Sequence, residues 1–432
     1  MRRLPIALLL VALGLSWPAR ARANGRYPSA DQLVTDPADA THLLLRTTFG
    51  LLVSHDAGVS WRWICESAVG YGGGRDPALA IFPDGSVAAG FARELRVSRA
   101  DGCGWEAPFS NVTEENFVDA TSDPGDPTNI LFLSRTLAKT RLLHVFVAAQ
   151  SGGPLTELEA PLGDDLSPIT LEVAPSLPSR VYVTAFAADL TTVLVRSDDR
   201  GKTWQRLAIH PDETLPAYIA AVDPTNPDRL YLRLDGTATD VLLVSDDGGD
   251  HFKEALSLDT DLLGFAVSPD GTRLAVGGPT VGLFLADATS LAFEQSPAPL
   301  GNLSCLKWTD TALLACGRES TDGFTVARSE DAGRSFAPLF HLGALRPLTC
   351  EATSDVGSLC PSLWPAVAQS LGLDAGATAG SGSGLELTPA GGHCGCALPG
   401  QERPPLAIAT LVLFGGVLLR RNRRRARSSD WC

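Results

Sequence analysis

The sequence predicts an all-β chain, a single β-propeller of seven four-stranded blades, and three observations predict it. An eight-residue phrase, S-x-D-x-G-x-[ST]-[WF], occurs in full three times: Ser54-His55-Asp56-Ala57-Gly58-Val59-Ser60-Trp61, Ser197-Asp198-Asp199-Arg200-Gly201-Lys202-Thr203-Trp204 and Ser329-Glu330-Asp331-Ala332-Gly333-Arg334-Ser335-Phe336. A second series, a Pro/Asp turn ahead of an apolar run, interleaves with the first. The composition, with 42 Gly, 30 Pro and only 19% charged residues, suits many short strands and little long helix.

The register sets the blade count. Two degraded copies of the phrase, Ser98 to Trp105 and Ser245 to Phe252, lie between the full ones. The first lacks the Asp at its third position and the second lacks the hydroxyl residue at its seventh. The five serines stand at 54, 98, 197, 245 and 329, so the steps are 44, 99, 48 and 84 residues. The two long steps are each about double, and each hides one missing turn, around Gln150–Gly153 and around Asp287–Ser290. Seven units of roughly 46 residues result, a length suited to a four-stranded blade. The second series also returns seven: Asp36-Pro37, Pro83-Asp84-Gly85, Asp126-Pro127, Pro175, Asp223-Pro224, Pro269-Asp270-Gly271 and Thr309-Asp310. Each is expected to join the inner strands of a blade, and β-rich runs such as Arg229–Leu234 and Arg180–Thr184 follow.

The phrase itself describes a hairpin turn. Its Asp accepts from nearby backbone N–H groups, its Gly supplies positive φ, its Ser/Thr closes the loop, and its Trp or Phe anchors between strands. The phrase resembles the Asp-box (BNR) repeat of sialidases, sortilin-type receptors, xyloglucanases and photosystem assembly propellers. That resemblance implies boxes joining the two outer strands of each blade, at the rim and away from the ligand site. Ser54, Asp56, Gly58 and Trp61, Ser197, Asp199, Gly201 and Trp204, and Ser329, Asp331, Gly333 and Phe336 are then structural and not catalytic. A sialidase usually has six blades, so a count of seven leans away from one.

The two ends read as targeting segments. Arg2-Arg3, an apolar stretch from Pro5 to Trp17 and Ala21-Arg22-Ala23 ahead of Asn24 form a secretory signal over residues 1–23. The propeller is expected over 24–345 and a disulfide-bearing extension over 346–373. Within the extension, Ser362 to Gly372 reads as a short helix on the propeller's base. A Gly/Ser/Ala-rich stalk follows over 374–393. Residues 394–432 carry Cys394-Gly395-Cys396, an apolar run from Pro404 to Leu419 and an arginine cluster at 420–425. That run reads as a short transmembrane helix with its basic flank on the cytoplasmic side. The order resembles the MYXO-CTERM sorting signal of myxobacterial surface proteins. It implies processing by an envelope protease and lipid anchoring at Cys396, or failing that Cys394; an ordinary tail anchor is the alternative. Without residues 1–23 and 402–432, 24 basic and 47 acidic side chains remain, a net charge of −23, which excludes nucleic acid as a partner.

Nine cysteines in an exported chain point to disulfides rather than metal. Cys305 and Cys316 fall opposite each other about the turn at Asp310-Thr311, Cys350 and Cys360 bracket a short loop, and Cys65 and Cys103 offer a bridge between adjacent blades. No C-x-x-C pair or histidine cluster marks a metal site, and no cofactor is expected.

Catalytic residues are not assigned. The Arg-Ile-Pro segment of sialidases is absent, Gly25-Arg26-Tyr27-Pro28 standing in that region, and only five tyrosines are present. Xyloglucanase-type catalysis uses a cleft between two propellers, and this chain has one. The residues just ahead of each innermost strand should instead gather at one channel mouth: Asp76, Glu114, Glu115, Asp164, Asp165, Glu213, Asp259 and Asp261. Converging carboxylates there suit Ca²⁺ or a basic partner. The expected function is non-enzymatic recognition of a surface protein or glycan by a membrane-anchored envelope protein, with a secreted glycoside hydrolase as the alternative.

Overall fold

This computed structural model describes residues 30–72, 76–137, 142–159, 161–209 and 215–373. They form seven four-stranded antiparallel blades, each built from one uninterrupted stretch of chain. Blade 1 comprises Ala30–Thr35, Leu43–Thr47, Gly50–Ser54 and Arg62–Ile64. Blade 2 comprises Ala78–Ile81, Val87–Phe91, Glu94–Ser98 and Trp105–Glu106. Blade 3 comprises Glu115–Ser122, Asn129–Thr136, Leu143–Ala149 and Thr156–Glu157. Blade 4 comprises Ser167–Val173, Val181–Phe186, Thr192–Ser197 and Gln205–Ala208. Blade 5 comprises Ala217–Val222, Leu230–Leu234, Asp240–Ser245 and Lys253–Leu258. Blade 6 comprises Gly264–Val267, Arg273–Gly278, Gly282–Asp287 and Glu294–Gln295. Blade 7 comprises Cys305–Trp308, Leu313–Cys316, Val326–Ser329 and Ala337–Phe340. Both turn series therefore fall where the register places them: Pro/Asp turns between first and second strands, the S-x-D-x-G phrases between third and fourth. The two units without a phrase turn at Gln150–Gly153 and Asp287–Ser290, as the doubled steps require.

Blades packed face to face bury their middle strands on both sides, so those strands are near-continuously apolar rather than alternating. Leu43–Leu45, Leu51 and Leu52 are fully buried for this reason. So are the rings of Tyr182 and Tyr231, whose hydroxyls meet Pro227 O and the Arg229 guanidinium at the turn face.

The phrase turns share one hydrogen-bond pattern. In blade 4, Ser197 Oγ accepts from Gly201 N–H at 2.7 Å and donates to Asp199 at 2.9 Å, while Asp199 accepts from the Thr203 N–H and hydroxyl at 2.9 and 2.7 Å. Ser54, Asp56 and Ser60 repeat this in blade 1, and Ser329, Asp331 and Ser335 in blade 7. Hydrogen bonding to the ionised form holds the Asp331 carboxyl down at about 2. In blade 5 His251 takes the place of the missing hydroxyl, its Nδ1 lying 2.7 Å from Asp247. Two consecutive residues have positive φ, Arg200 at 61° and Gly201 at 83°.

The glycine is also a contact point. A Cβ on Gly58 would sit 2.9 Å from Leu339 of blade 7, and one on Gly201 would sit 2.6 Å from the Leu158 carbonyl. Gly249 and Gly333 lie as close to Leu194 and Leu285 of the blades before them. Each turn thus presses on the preceding blade, and only glycine fits both the dihedral and the gap. The anchoring Trp61 is fully buried and donates its Nε1–H to Gly58 O. Trp204 and Phe336 are half-buried.

Closure of the ring uses the extension. After blade 7 the chain adds Arg346–Pro347 as a parallel strand outside Arg62–Ile64 of blade 1. A helix, Asp355–Ser370, follows, longer at its start than the Ser362 to Gly372 expected. Ser354 caps it by accepting from Gly357 N–H at 3.1 Å, and Gly372 at φ 71° ends it. The helix lies against the outer edge of blade 1, with Trp364 5.5 Å from Trp63, and not on the base of the propeller. Val356, Cys360, Trp364 and Ala368 share one core with blade 1 and with Val326 and Phe340 of blade 7.

Two expected disulfides are replaced. Cys65 joins Cys360 and Cys103 joins Cys350, so neither Cys65–Cys103 nor Cys350–Cys360 forms. The extension runs back across blades 1 and 2, and each of its cysteines meets a blade cysteine before it meets the other. Cys305 and Cys316 are directly opposed in register and bonded. The clasp also repairs the degraded turn of blade 2, where Asp355 of the helix accepts from Trp105 N–H at 2.7 Å.

Peptide mapping of the unreduced chain is expected to recover Cys65 with Cys360 and Cys103 with Cys350; recovery of Cys65 with Cys103 would refute the clasp. Cys360→Ser should cost about 2–5 kcal/mol in chemical denaturation. Cys305→Ser should cost less, because that bond spans only 11 residues where Cys65–Cys360 spans 295.

Candidate functional site

Antiparallel meanders sort their loops by end. First-to-second and third-to-fourth turns emerge on one side, the turn face. Second-to-third loops and the connectors between blades emerge on the other, the connector face. The sequence-predicted acids all precede inner strands and so belong to the connector face.

The structure does not assemble those acids into one ring. Glu115, the first residue of its strand, turns inward, is 6% exposed and accepts from the Ser134 and Thr136 hydroxyls. Asp165 is held in a fork by Arg206 Nη1 and Nη2 at 2.6 and 2.5 Å, and this guanidinium keeps its carboxyl below the usual range. Asp259 accepts from the Thr239 hydroxyl at 2.7 Å. Glu114 and Asp164 are exposed, Asp76 lies two residues ahead of its strand, and Glu213 lies outside the described residues. Cys394 and Cys396, with the rest of residues 374–432, lie outside them too, as does the signal segment.

One predicted acid does join a group. Asp261, on the connector from blade 5 to blade 6, meets Asp235 and Asp240 at the second-to-third loop of blade 5, with one carboxylate oxygen from each within 4.8 Å of the others. Asp240 is 1% exposed, Asp235 half-buried and Asp261 exposed. Asp240 is positioned by two backbone donors, Gly236 N–H at 2.9 Å and Leu262 N–H at 2.8 Å, so it staples loop to connector. Arg233 Nε is 3.9 Å from it, a loose pairing. Burial raises the carboxyls of Asp235 and Asp240, and the mutual proximity of the three negative charges raises them further. Such a group can take a hard divalent cation through oxygen ligands, or a ligand's ammonium. Asp235 and Asp240 were not singled out in the sequence because the loop that brings them to Asp261 has no motif of its own.

A second set of charges lines the inner strands. In blade 3 the register slips between Phe117 and Asp119, and the freed Asp119 carboxylate accepts from Leu171 N–H of blade 4 at 2.8 Å. Thr170 does the same for Ile219 N–H of blade 5 at 2.9 Å. Glu172 accepts from the Thr121 hydroxyl at 3.0 Å and faces the charge of Lys307 from blade 7. Burial raises Asp119 to about 7 and raises Glu172, while burial lowers Lys307. Leu171 N–H and the Arg46 charge oppose the rise of Asp119, and the Glu172 charge adds to it. Charged residues inside strand-like runs were the available signal for this set.

Because the folded Asp119 holds its proton up to about 7 while the unfolded one releases it near 4, its stabilisation is complete below about pH 4 and disappears as pH rises through 7. Asp119→Asn removes that dependence. The melting temperature of the variant minus that of the parent should therefore grow more positive between pH 4 and about 8; a constant difference would contradict the assignment.

No family model and no curated protein sequence matches the chain. Among solved structures, an ancestral GH74 enzyme is similar over 72% of this chain and 46% of its own, at 14% identity and a TM-score of 0.54. The GH74 enzyme of Niastella koreensis is similar over 72% of this chain and 65% of its own, at 14% identity and a TM-score of 0.43. The Cps50 (Swd1) β-propeller domain of Myceliophteria thermophila is similar over 68% and 95%, at 8% identity and a TM-score of 0.43. The chain spans less than two thirds of either GH74 enzyme. At these identities the likeness establishes the β-propeller fold and nothing finer.

Proposed function

We propose that the protein is an exported recognition propeller that binds a surface protein or glycan through its connector face without transforming it. Three disulfides support an oxidising compartment. The observation that carries the reading is the Asp235–Asp240–Asp261 group, three carboxylates gathered on that face, with Arg233 beside them at 3.9 Å from Asp240 and itself held by the Leu262 carbonyl. A bound cation, or the ammonium of a basic ligand, would relieve their repulsion and fix the loop against the connector. Display at the envelope, with processing at Cys396 or Cys394, belongs to the same proposal and rests on the terminal sequences. No helix among the described residues is long and apolar enough to cross a membrane.

The second reading is a glycoside hydrolase. Two of the similar structures are GH74 enzymes, and the raised carboxyls of Asp235 and Asp240 would be its acids.

Calorimetry with Ca²⁺ is expected to show binding that Asp261→Asn weakens by about tenfold or more, the loss of one charge-assisted ligand. Absence of heat with the parent protein would remove the cation. A fluorogenic glycosidase panel is expected to show no turnover; turnover abolished by Asp240→Asn would replace recognition by hydrolysis.

A further inference from the structure

The turn face carries a cleft between blades 6 and 7. Blade 6 has no S-x-D-x-G phrase: past Asp287 the chain turns at Thr289 to Leu291, the latter at φ 53°, and its outer strand is only Glu294–Gln295. The space this leaves against the blade 7 turn is about 730 Å³, the size of an oligomeric ligand's site rather than a single ion's. Trp308, from the end of blade 7's inner strand, contributes to its lining, with Arg273 on the blade 6 side and Arg334 on the blade 7 turn.

Most acids of the cleft are already engaged. Asp331 is occupied by Ser329, Ser335 and the Arg334 N–H. Asp287 accepts from Thr289 N–H and Ser290 N–H, at 2.9 and 3.0 Å. Glu330 pairs with Arg328 at 3.2 Å. The two guanidiniums are not engaged. Among the described residues neither Arg273 nor Arg334 makes an ion pair or side-chain hydrogen bond, and the Trp308 indole N–H has no acceptor. Asp270, the acid whose charge Arg273 feels, is committed to Ser268 and Thr272. Two free cations and one uncommitted acid, Glu294, thus line the cleft, on a chain of net charge −14.

We propose that this cleft binds an acidic saccharide, a uronate-bearing glycan segment whose carboxylate is held by Arg273 and Arg334 and whose ring lies on Trp308. Guanidinium forks match carboxylates, and an indole offers a flat apolar surface with a donor at its edge, which suits a ring with an apolar face and a hydroxylated rim. An acidic peptide fits less well, because a two-residue outer strand offers no length of edge for an extended chain to pair with. The site shares no residue with the connector-face group, and it stands whether or not that group binds anything.

The test titrates the full chain with tetragalacturonate, cellotetraose and tetraglutamate by calorimetry. Tetragalacturonate should bind, with the other two weaker by about tenfold or more, the worth of a charge-assisted hydrogen bond. Arg273→Gln and Arg334→Gln should each weaken it to a similar degree, and added salt should weaken it further. Arg334 is exposed, so its replacement should leave the melting temperature unchanged. No binding by the parent chain, undiminished affinity in both arginine variants, or tetraglutamate binding as tightly would each overturn the proposal.

Discussion

Everything in this structure depends on holding the first blade against the last. A ring brings together residues some 300 positions apart, and the entropy of that closure costs about 5 kcal/mol in a flexible chain. Some closed rings exchange a strand between their ends; here every blade is a continuous piece of chain, so closure must come from elsewhere. The seam uses the same contact as the other joints that carry the S-x-D-x-G phrase, Gly58 against Leu339, with the Trp61 and Phe340 rings 5.8 Å apart behind it. The extension then adds a parallel strand, two covalent bonds and a helix at this point, where a ring would open first.

Five blades share a further bond between their own turns. Ala57, Arg200 and Gly248 each donate a backbone N–H from the outer turn to a carbonyl in the inner turn of the same blade, at Thr41, Ser179 and Asp228. Gln150 and Ala288, in the two blades without the phrase, make the same bond to Thr128 and Thr272. The tie between turns thus occurs in five blades, with and without the phrase, and what the phrase adds is the Ser/Asp staple and the glycine pressed on the preceding blade. Where it is missing, in blades 3 and 6, and where it has lost its Asp, in blade 2, the outer strand shrinks to two residues.

The acidity of the chain has largely the same origin. Asp36, Asp123, Asp189, Asp223 and Asp270 each accept a backbone N–H two or three residues on, and the phrase Asp residues accept one four residues on. Turns repeated around a ring multiply such carboxylates, so the negative charge mostly records turn chemistry rather than a ligand. Asp119, Glu172 and Asp240 stand outside these turns, and burial raises their carboxyls.

The sequence by itself determined what is local and periodic. Seven blades, their inner and outer turns and even the two turns that lack the phrase follow from spacing, because a hairpin's register is set by residues a few positions apart. Cys305–Cys316 was legible for that reason, its partners facing each other across one turn. Only the tertiary structure decided the pairs Cys65–Cys360 and Cys103–Cys350, the company of Asp261 and the fates of Glu115 and Asp165. Each depends on where a segment travels after its last strand or on which neighbouring side chain arrives first. Those outcomes are settled by packing between distant stretches of chain, which no spacing along the sequence encodes.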